Sequence, residues 1–245
     1  MTISPLPDFH ISRFCETCPV RNHAICSVLG KQGSHVLSDI MHHKTYARGE
    51  TLWADADEAH VIAIIIKGAV KLYKLMADGR QQIVGLLFPS DCVGRPYSEE
   101  QQTYAEAVNE VEVCCFPRQK FENVLEQHPE LEHILFERTM NDLDRARNWM
   151  LALGRMTAIE KIASFISEVE TKTNLTKCAH NQPPPSRQIV EVPLSRAEIA
   201  DCLGLTTETV SRNITTLKVK GVIKLLDPHT VEVVDRDALA RLANP

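Results

Sequence analysis

Three cysteines near the start of the chain have a spacing that suits metal binding. They are Cys15, Cys18 and Cys26, arranged as C-x2-C-x7-C, and the whole chain holds eight cysteines. In a reducing compartment, clustered cysteines are more often metal ligands or redox groups than disulfide partners. A short loop can wrap three thiolates around one face of a cube-shaped cluster, and a fourth ligand must then come from elsewhere. The spacing therefore predicts a thiolate metal centre or a redox group.

Two adjacent cysteines on a predicted strand offer the fourth thiolate. Strand alternation places Cys115 on the same face as Val111 and Val113, which should be core. Cys114 then points to the opposite face, where the N-terminal loop can cover it. We therefore predict Cys114 rather than Cys115 as the fourth ligand. Cys92 is expected to pack inside the barrel.

The residue types alone leave the bound metal open. Four thiolates suit zinc as well as an iron–sulfur cluster. His23, five residues after Cys18, could serve zinc, and His42 or His43 could bind haem. Zinc binding, thiol switching and haem binding therefore stand beside an iron–sulfur cluster as alternatives.

The composition of the chain excludes several classes of protein. Its 245 residues are 44% hydrophobic and 24% charged, with a formal net charge of −5, which is typical of a globular protein. The longest apolar run near the middle, 61–66, is far shorter than the about 20 residues that span a membrane. The first residues lack a secretory signal, so we expect a cytoplasmic protein. No nucleophile–base arrangement or phosphate-binding glycine loop is visible, so no enzymatic activity is expected.

The segment that would carry the fourth thiolate has a β-like pattern from about residue 36 to 117. Two β-branched runs are separated by Asp78-Gly79, which predicts a hairpin. Glycines punctuate the short strands, as in a small barrel or jelly roll. We therefore expect a β-rich domain beside the N-terminal cysteines.

The pattern then becomes helical, with a long helix predicted over roughly 131–154. A second amphipathic helix is expected over 157–170, and an exposed loop over 171–188, where three consecutive prolines break the period. The long helix has an apolar stripe that needs a partner surface, and we favour a second copy of the same helix over a partner within the chain. The stripe consists of Leu135, Thr139, Leu143, Ala146, Met150 and Leu153.

The C-terminal part of the chain predicts a winged helix-turn-helix. Ser195 and Glu198 form a capping box, Gly204 permits a sharp turn, and Thr206 caps a second helix. Two short β-like runs then predict a wing. The start of the second helix should meet base edges in the major groove, with a lysine at its end on phosphate; protein contact is the alternative use of such a domain. The predicted DNA-binding residues are Thr207, Glu208, Ser211, Arg212 and Lys218.

The order of the predicted elements resembles that of the CRP/FNR superfamily of bacterial transcription regulators. A β-rich domain comes first, a long helix follows, and a winged helix with the sequence ETVSR comes last. Four features are most similar to the FNR branch of this superfamily, especially its FnrL/FnrN-like members. They are the cysteine cluster and the segments GLLFPSDCVGRP, VCCFP and LGLTTETVSR. The resemblance implies an α+β fold: an N-terminal cyclic-nucleotide-binding-like β-roll, a long dimerisation helix and a C-terminal winged helix-turn-helix. It also implies that Glu208, Ser211 and Arg212 read a palindrome resembling TTGAT-N4-ATCAA.

We accordingly divide the chain into four parts. They are a cysteine-rich cluster-binding segment (1–33), a sensor β-roll (34–128), a dimerisation helix (129–156) and a winged helix-turn-helix domain (157–245).

The resemblance further implies an oxygen-responsive regulator. A 4Fe–4S cluster on Cys15, Cys18, Cys26 and Cys114, where the family's V-C-x-x-P ligand motif falls, would be intact at low oxygen and favour a homodimer on double-stranded DNA. Oxygen would degrade the cluster and switch the protein off. The dimer would contact RNA polymerase to activate genes and would repress others. The alternative is a regulator of the same fold whose cysteines bind zinc or act as a thiol switch.

Cyclic nucleotide is not expected as the ligand. Relatives that bind it hold the cyclic phosphate with an arginine in an R-[ST]-A motif. This chain has 103–105, Thr-Tyr-Ala, near that place, so the arginine that would pair with the phosphate is missing.

Overall fold

Eight short strands form two four-stranded antiparallel sheets that enclose an apolar interior. The computed structural model describes Cys15, 17–29, 36–178 and 188–244, with only the backbone for 174–178. The strand order is β1-β8-β3-β6 in the first sheet and β2-β7-β4-β5 in the second. The strands are β1 (His42–Tyr46), β2 (Thr51–Trp53), β3 (Val61–Lys67), β4 (Val70–Leu75), β5 (Gln81–Leu87), β6 (Cys92–Val93), β7 (Tyr104–Ala107) and β8 (Val111–Pro117).

The predicted β-rich domain and its central hairpin are confirmed. Strands β4 and β5 pair in antiparallel register from Val70 opposite Leu87 to Leu75 opposite Gln81. Gly79 at the turn has φ of +85°, a conformation that residues with a Cβ rarely adopt. The two sheets therefore form the β-roll that the family resemblance implies.

The outer face of the first sheet is also buried, under the N-terminal segment and a helix. Ile62, Ile64 and Phe116 point outward and pack against helix α1 (Arg118–Gln127) and a 3-10 helix (Ile25–Leu29). This second apolar layer holds the cysteine-rich segment over strand β8.

The long helix is α2 (Pro129–Arg155), close to the predicted 131–154. Proline at its first position suits a helix start, where its missing N–H is not needed. Along the predicted stripe, Leu143 is 41% exposed and Met150 is 63% exposed, whereas Leu135 at its start is half-buried. Within one chain the middle and end of this face are therefore largely uncovered. In the part of the chain that is described, no helix is both long and apolar enough to cross a membrane.

Helix α3 (Ala158–Cys178) continues eight residues past its predicted end, so the predicted loop is wrong for 171–178. Within this added length, the Thr171 and Thr173 hydroxyls donate to carbonyls one turn earlier, at 2.9 and 2.8 Å, so these polar side chains are satisfied inside a helix. Lys172 also bonds to Asp91 on the β-roll at 2.8 Å. The rest of the predicted loop, up to residue 187, lies outside the described residues.

The winged helix-turn-helix is confirmed, including its caps. Ser195 accepts from the Glu198 amide while Glu198 accepts from the Ser195 amide, and Gly204 has φ of +61°. Two elements were not predicted: β9, which is only four residues long, and α6, whose cap Asp235 and apolar spacing are visible in the sequence. The elements are β9 (Gln188–Glu191), α4 (Arg196–Leu203), α5 (Thr207–Val219), β10 (Ile223–Leu225), β11 (Thr230–Val233) and α6 (Arg236–Ala243).

The uncovered face of α2 predicts the effect of placing a charge on it. Leu143→Glu should raise the dimer dissociation constant at least about tenfold, because a carboxylate would be buried without a partner. Asn141→Glu adds the same side chain to an exposed position about 200° away around the helix. Sedimentation equilibrium should show the loss for Leu143→Glu and not for Asn141→Glu; equal behaviour of the two variants would contradict a seam along this face.

Candidate cysteine centre and DNA-reading helix

The four predicted cysteine ligands line one cavity between the N-terminal segment and strand β8. Cys15, Cys18 and Cys26 come from the segment and Cys114 comes from the strand. Among the residues that the structure describes, no group of three or more His, Cys, Asp or Glu side chains converges to hold a single metal ion. The remaining lining is mostly apolar: Val20, Arg21, Ala24, Leu37, Met41, Ile64, Ile66 and Phe116.

The long gap between Cys18 and Cys26 is folded into turns that bring both thiols to this cavity. The Val20 carbonyl accepts from the amides of His23 at 3.0 Å and Ala24 at 2.8 Å. Val20 and Ala24 are buried against the outer face of the sheet. The apolar residues between the cysteines therefore anchor the loop, while the cysteines remain on the cavity wall.

Burial raises the pKa of each of the four thiols. It raises that of Cys26 to about 11, and for Cys114 the three neighbouring thiols raise the pKa further. Arg21 acts in the opposite direction on the pKa values of Cys15, Cys18 and Cys26. At neutral pH the free thiols are therefore protonated, and their ionisation needs the positive charge of a bound metal. Four soft donors in apolar surroundings fit an iron–sulfur cluster, and the same donor set also fits zinc.

The neighbouring cysteines lie on different faces of the first sheet. Cys115 points into the β-roll with Val113, as strand alternation predicts. Cys92 does not pack inside the barrel, and that prediction is wrong. Ile64 pairs with both Cys92 and Cys114, so all three lie in one row on the outer face. Strand β6 has only two residues, which is too short for the sequence to show which of them faces inward.

The cysteine-rich segment also contacts the long helix directly. The guanidinium of Arg138 on α2 donates to the Ser90 carbonyl at 2.9 Å and to the His23 carbonyl. His23 lies between Cys18 and Cys26, and the 3-10 helix that carries Cys26 packs on α2. Sequence reasoning missed Arg138, because nothing local in the chain indicates a contact across 115 residues.

Helix α5 presents the predicted DNA-binding residues to solvent. Its inner face buries Val210, Ile214 and Leu217 against the rest of the domain. Further along, Lys224 lies 4.0 Å from Glu232, so its charge is partly balanced. The side chains on the outer face are free to reach a groove; the exposed residues are Thr207, Glu208, Ser211, Arg212 and Lys218.

Two family models match this chain and together cover most of it. A cyclic nucleotide-binding domain matches 43–128, and a Crp-like helix-turn-helix domain matches 160–242. The chain belongs to the CRP/FNR family of transcription regulators. Members of this family bind DNA as dimers, which agrees with the exposed faces of α2 and α5.

Relatives of this CRP/FNR regulator match it over nearly its whole length. A probable transcriptional activator of Rhizobium leguminosarum bv. viciae is 40% identical over 229 residues, covering 93% of this chain and 92% of the relative. Transcriptional activator protein FnrL of Cereibacter sphaeroides is 38% identical over 235 residues, covering 96% and 93%. The structure of FixK2 from Bradyrhizobium japonicum superposes with a TM-score of 0.74 at 28% identity, covering 84% of this chain and 98% of that one. The protein is therefore a DNA-binding transcription regulator, a family whose members are not enzymes.

The exposed face of α5 predicts two distinct effects on DNA binding. Arg212→Ala should weaken the free energy of DNA binding by about 1–3 kcal/mol and relax the base preference at one position of each half-site. Lys218→Ala should weaken binding to all sequences alike and reduce the salt slope by about 1. Fluorescence anisotropy with single-base variants of the DNA site, repeated over a range of salt concentrations, separates the base-specific effect from the uniform one. Arg241→Ala on α6, which packs on α3, removes an equal charge and should change neither quantity.

Proposed function

We propose that this CRP/FNR regulator responds to oxygen through a 4Fe–4S cluster held by Cys15, Cys18, Cys26 and Cys114. The observation that carries the proposal is the shared cavity of the four thiols, three from the N-terminal segment and one from β8. The names of the relatives specify activation of transcription and leave the signal open. The donor set and its apolar walls are what an iron–sulfur site requires.

When bound, the cluster supplies iron–thiolate bonds that tie the N-terminal segment to β8, together with a sensitivity to oxygen that removes this tie. The segment in turn packs through its 3-10 helix on α2, where Arg138 bonds to the His23 carbonyl. The placement of the segment thus biases the position of α2. A coupling of about 1–3 kcal/mol, typical of allostery, would shift the dimer equilibrium about 5- to 150-fold.

The dimer places two winged helices on one palindrome, for which we propose TTGAT-N4-ATCAA. Glu208, Ser211 and Arg212 are exposed at the start of α5, where recognition helices meet base edges. Contact with RNA polymerase accounts for activation, and occlusion of the polymerase at other sites accounts for repression.

We do not propose a cyclic nucleotide as the ligand. In relatives that bind a cyclic nucleotide, an acidic residue contacts the ligand, and Asp91 lies near the corresponding position of this sequence. Its carboxylate already accepts from the Lys172 ammonium at 2.8 Å and from the Phe88 amide at 3.0 Å. These bonds engage Asp91 within the protein.

Adjacent cysteines on β8 provide a matched test of the ligand set. Cys114→Ala should abolish the visible absorbance of the anaerobically purified protein and its specific DNA binding, because it removes one of four ligands. Cys115→Ala removes the same atom from the interior of the β-roll and should retain both properties. Absorbance, iron content and anisotropy on the palindrome check this. Normal binding by Cys114→Ala, or loss of the absorbance only in Cys115→Ala, would contradict the proposed ligand set.

Arg138 tests how the segment communicates with α2. Arg138→Gln should leave the absorbance and iron content intact, while the dimer dissociation constant rises about 5- to 150-fold as coupling is lost. Arg155→Gln is the control, since Arg155 is exposed on the same helix and lies about 120° around it from Leu143. Anaerobic sedimentation of the iron-loaded variants measures the effect. A dimer as stable as that of the unaltered protein would exclude Arg138 from the coupling.

A further inference from the structure

A buried lysine joins the β-roll to the DNA-binding domain. Lys71 on β4 is only 5% exposed. Its ammonium lies 2.8 Å from a carboxylate oxygen of Glu106 on β7 and 2.9 Å from one of Glu198 on α4. Glu106 belongs to the same sheet, whereas Glu198 is 127 residues away in the first helix of the helix-turn-helix. One ammonium group thus bridges the two domains.

A buried ammonium group is stable only when it is fully paired. Burial alone would lower the pKa of Lys71, but its hydrogen bonds to Glu106 and Glu198 raise the pKa overall. Burial alone would raise the pKa of Glu198, but bonds from Lys71 and Ser195 lower it. Both groups are therefore charged at neutral pH. Removal of Glu198 would leave Lys71 with Glu106 alone, and removal of Lys71 would leave both carboxylates without the ammonium.

Glu198 also forms the cap of α4, so the ion pair acts on the start of that helix. Its carboxylate accepts from the Ser195 amide at 2.9 Å and from the Ser195 hydroxyl at 2.8 Å, as well as from Lys71. The same group that begins the helix is thus held by the sensor sheet. This fixes where α4 begins relative to the β-roll.

Two amides on β5 extend the contact along α4. The side chain of Gln81 donates to Asp201 at 2.6 Å, and that of Gln82 donates to the Cys202 carbonyl at 3.0 Å. Beneath them, Ile83 belongs to the same apolar core as Leu203. The first helix of the helix-turn-helix is therefore docked on the sensor, while the reading face of α5 stays exposed.

We propose that Lys71 is a positioning residue for DNA recognition: it holds α4 on the sensor sheet and thereby sets the separation of the two α5 helices in the dimer. The covalent connection between the domains passes through Met156 and Thr157, where helix α2 has ended and α3 has not begun. A palindrome requires both recognition helices at a defined spacing. Docking at Lys71 removes the freedom that this connection would otherwise leave.

The test compares full palindromic sites with sites in which one half is scrambled. Lys71→Met should weaken binding to the palindrome by at least about tenfold, because α4 is no longer held on the sensor sheet and the spacing of the two α5 helices is no longer fixed. Binding to the single half-site should be unchanged, because it needs only one intact α5. The full-length protein is used anaerobically, at the iron content of the unaltered protein, and anisotropy measures both affinities.

Two further variants make the test specific to the ion pair. Glu198→Gln removes the charge but keeps a residue that can complete the capping box, and it should reproduce the effect of Lys71→Met. The double variant should be no worse than either single one, since both remove the same contact. Lys67→Met is the control, because Lys67 is exposed and pairs with Glu110 and Glu112.

Three outcomes would overturn the proposal. Equal losses on both DNAs would indicate a damaged fold, unchanged affinity would show that docking does not position α5, and tighter binding would show that docking opposes recognition. The inference does not depend on the iron–sulfur cluster. A colourless protein that still binds the palindrome would contradict the proposed function and leave this comparison valid.

Discussion

The outward orientation of one side chain on strand β8 is the constraint on which the rest of the account depends. Alternation along the strand sends Cys115 into the β-roll and Cys114 to the outer face, where the N-terminal segment covers it. The segment stays there because its apolar residues pack on the same face. Three thiols in the segment and one on the sheet thus share a cavity that no single element could form.

The structure offers two physical connections from the sensor domain towards DNA. The first runs from the 3-10 helix to α2, through packing and the bonds of Arg138, and it acts on the helix that is exposed for dimer formation. The second is the contact of the sensor sheet with α4 through Lys71. Under the two proposals, the first connection controls whether two chains meet, and the second controls how their DNA-binding domains are oriented.

Features encoded by neighbouring residues were predictable from the sequence, and features that depend on distant pairings were not. The capping box, the Gly79 turn and the length of α2 follow from local rules of backbone conformation and capping. The end of α3 was predicted too early because its polar residues are supported by the β-roll through Lys172. Arg138 was missed because its partner lies on an element remote in the chain. The outward direction of Cys114 could be derived because side chains alternate between the two faces along a strand.

The most direct test of the central claim follows colour and DNA binding in one sample. The protein is purified without air, its visible spectrum and its iron and sulfide contents are recorded, and air is then admitted while anisotropy on the TTGAT-N4-ATCAA duplex is followed. The account predicts a brown protein with about four irons per chain that bleaches as specific binding falls. A colourless protein that binds the same duplex with and without air would contradict it, and would favour zinc or a thiol switch on the same cysteines.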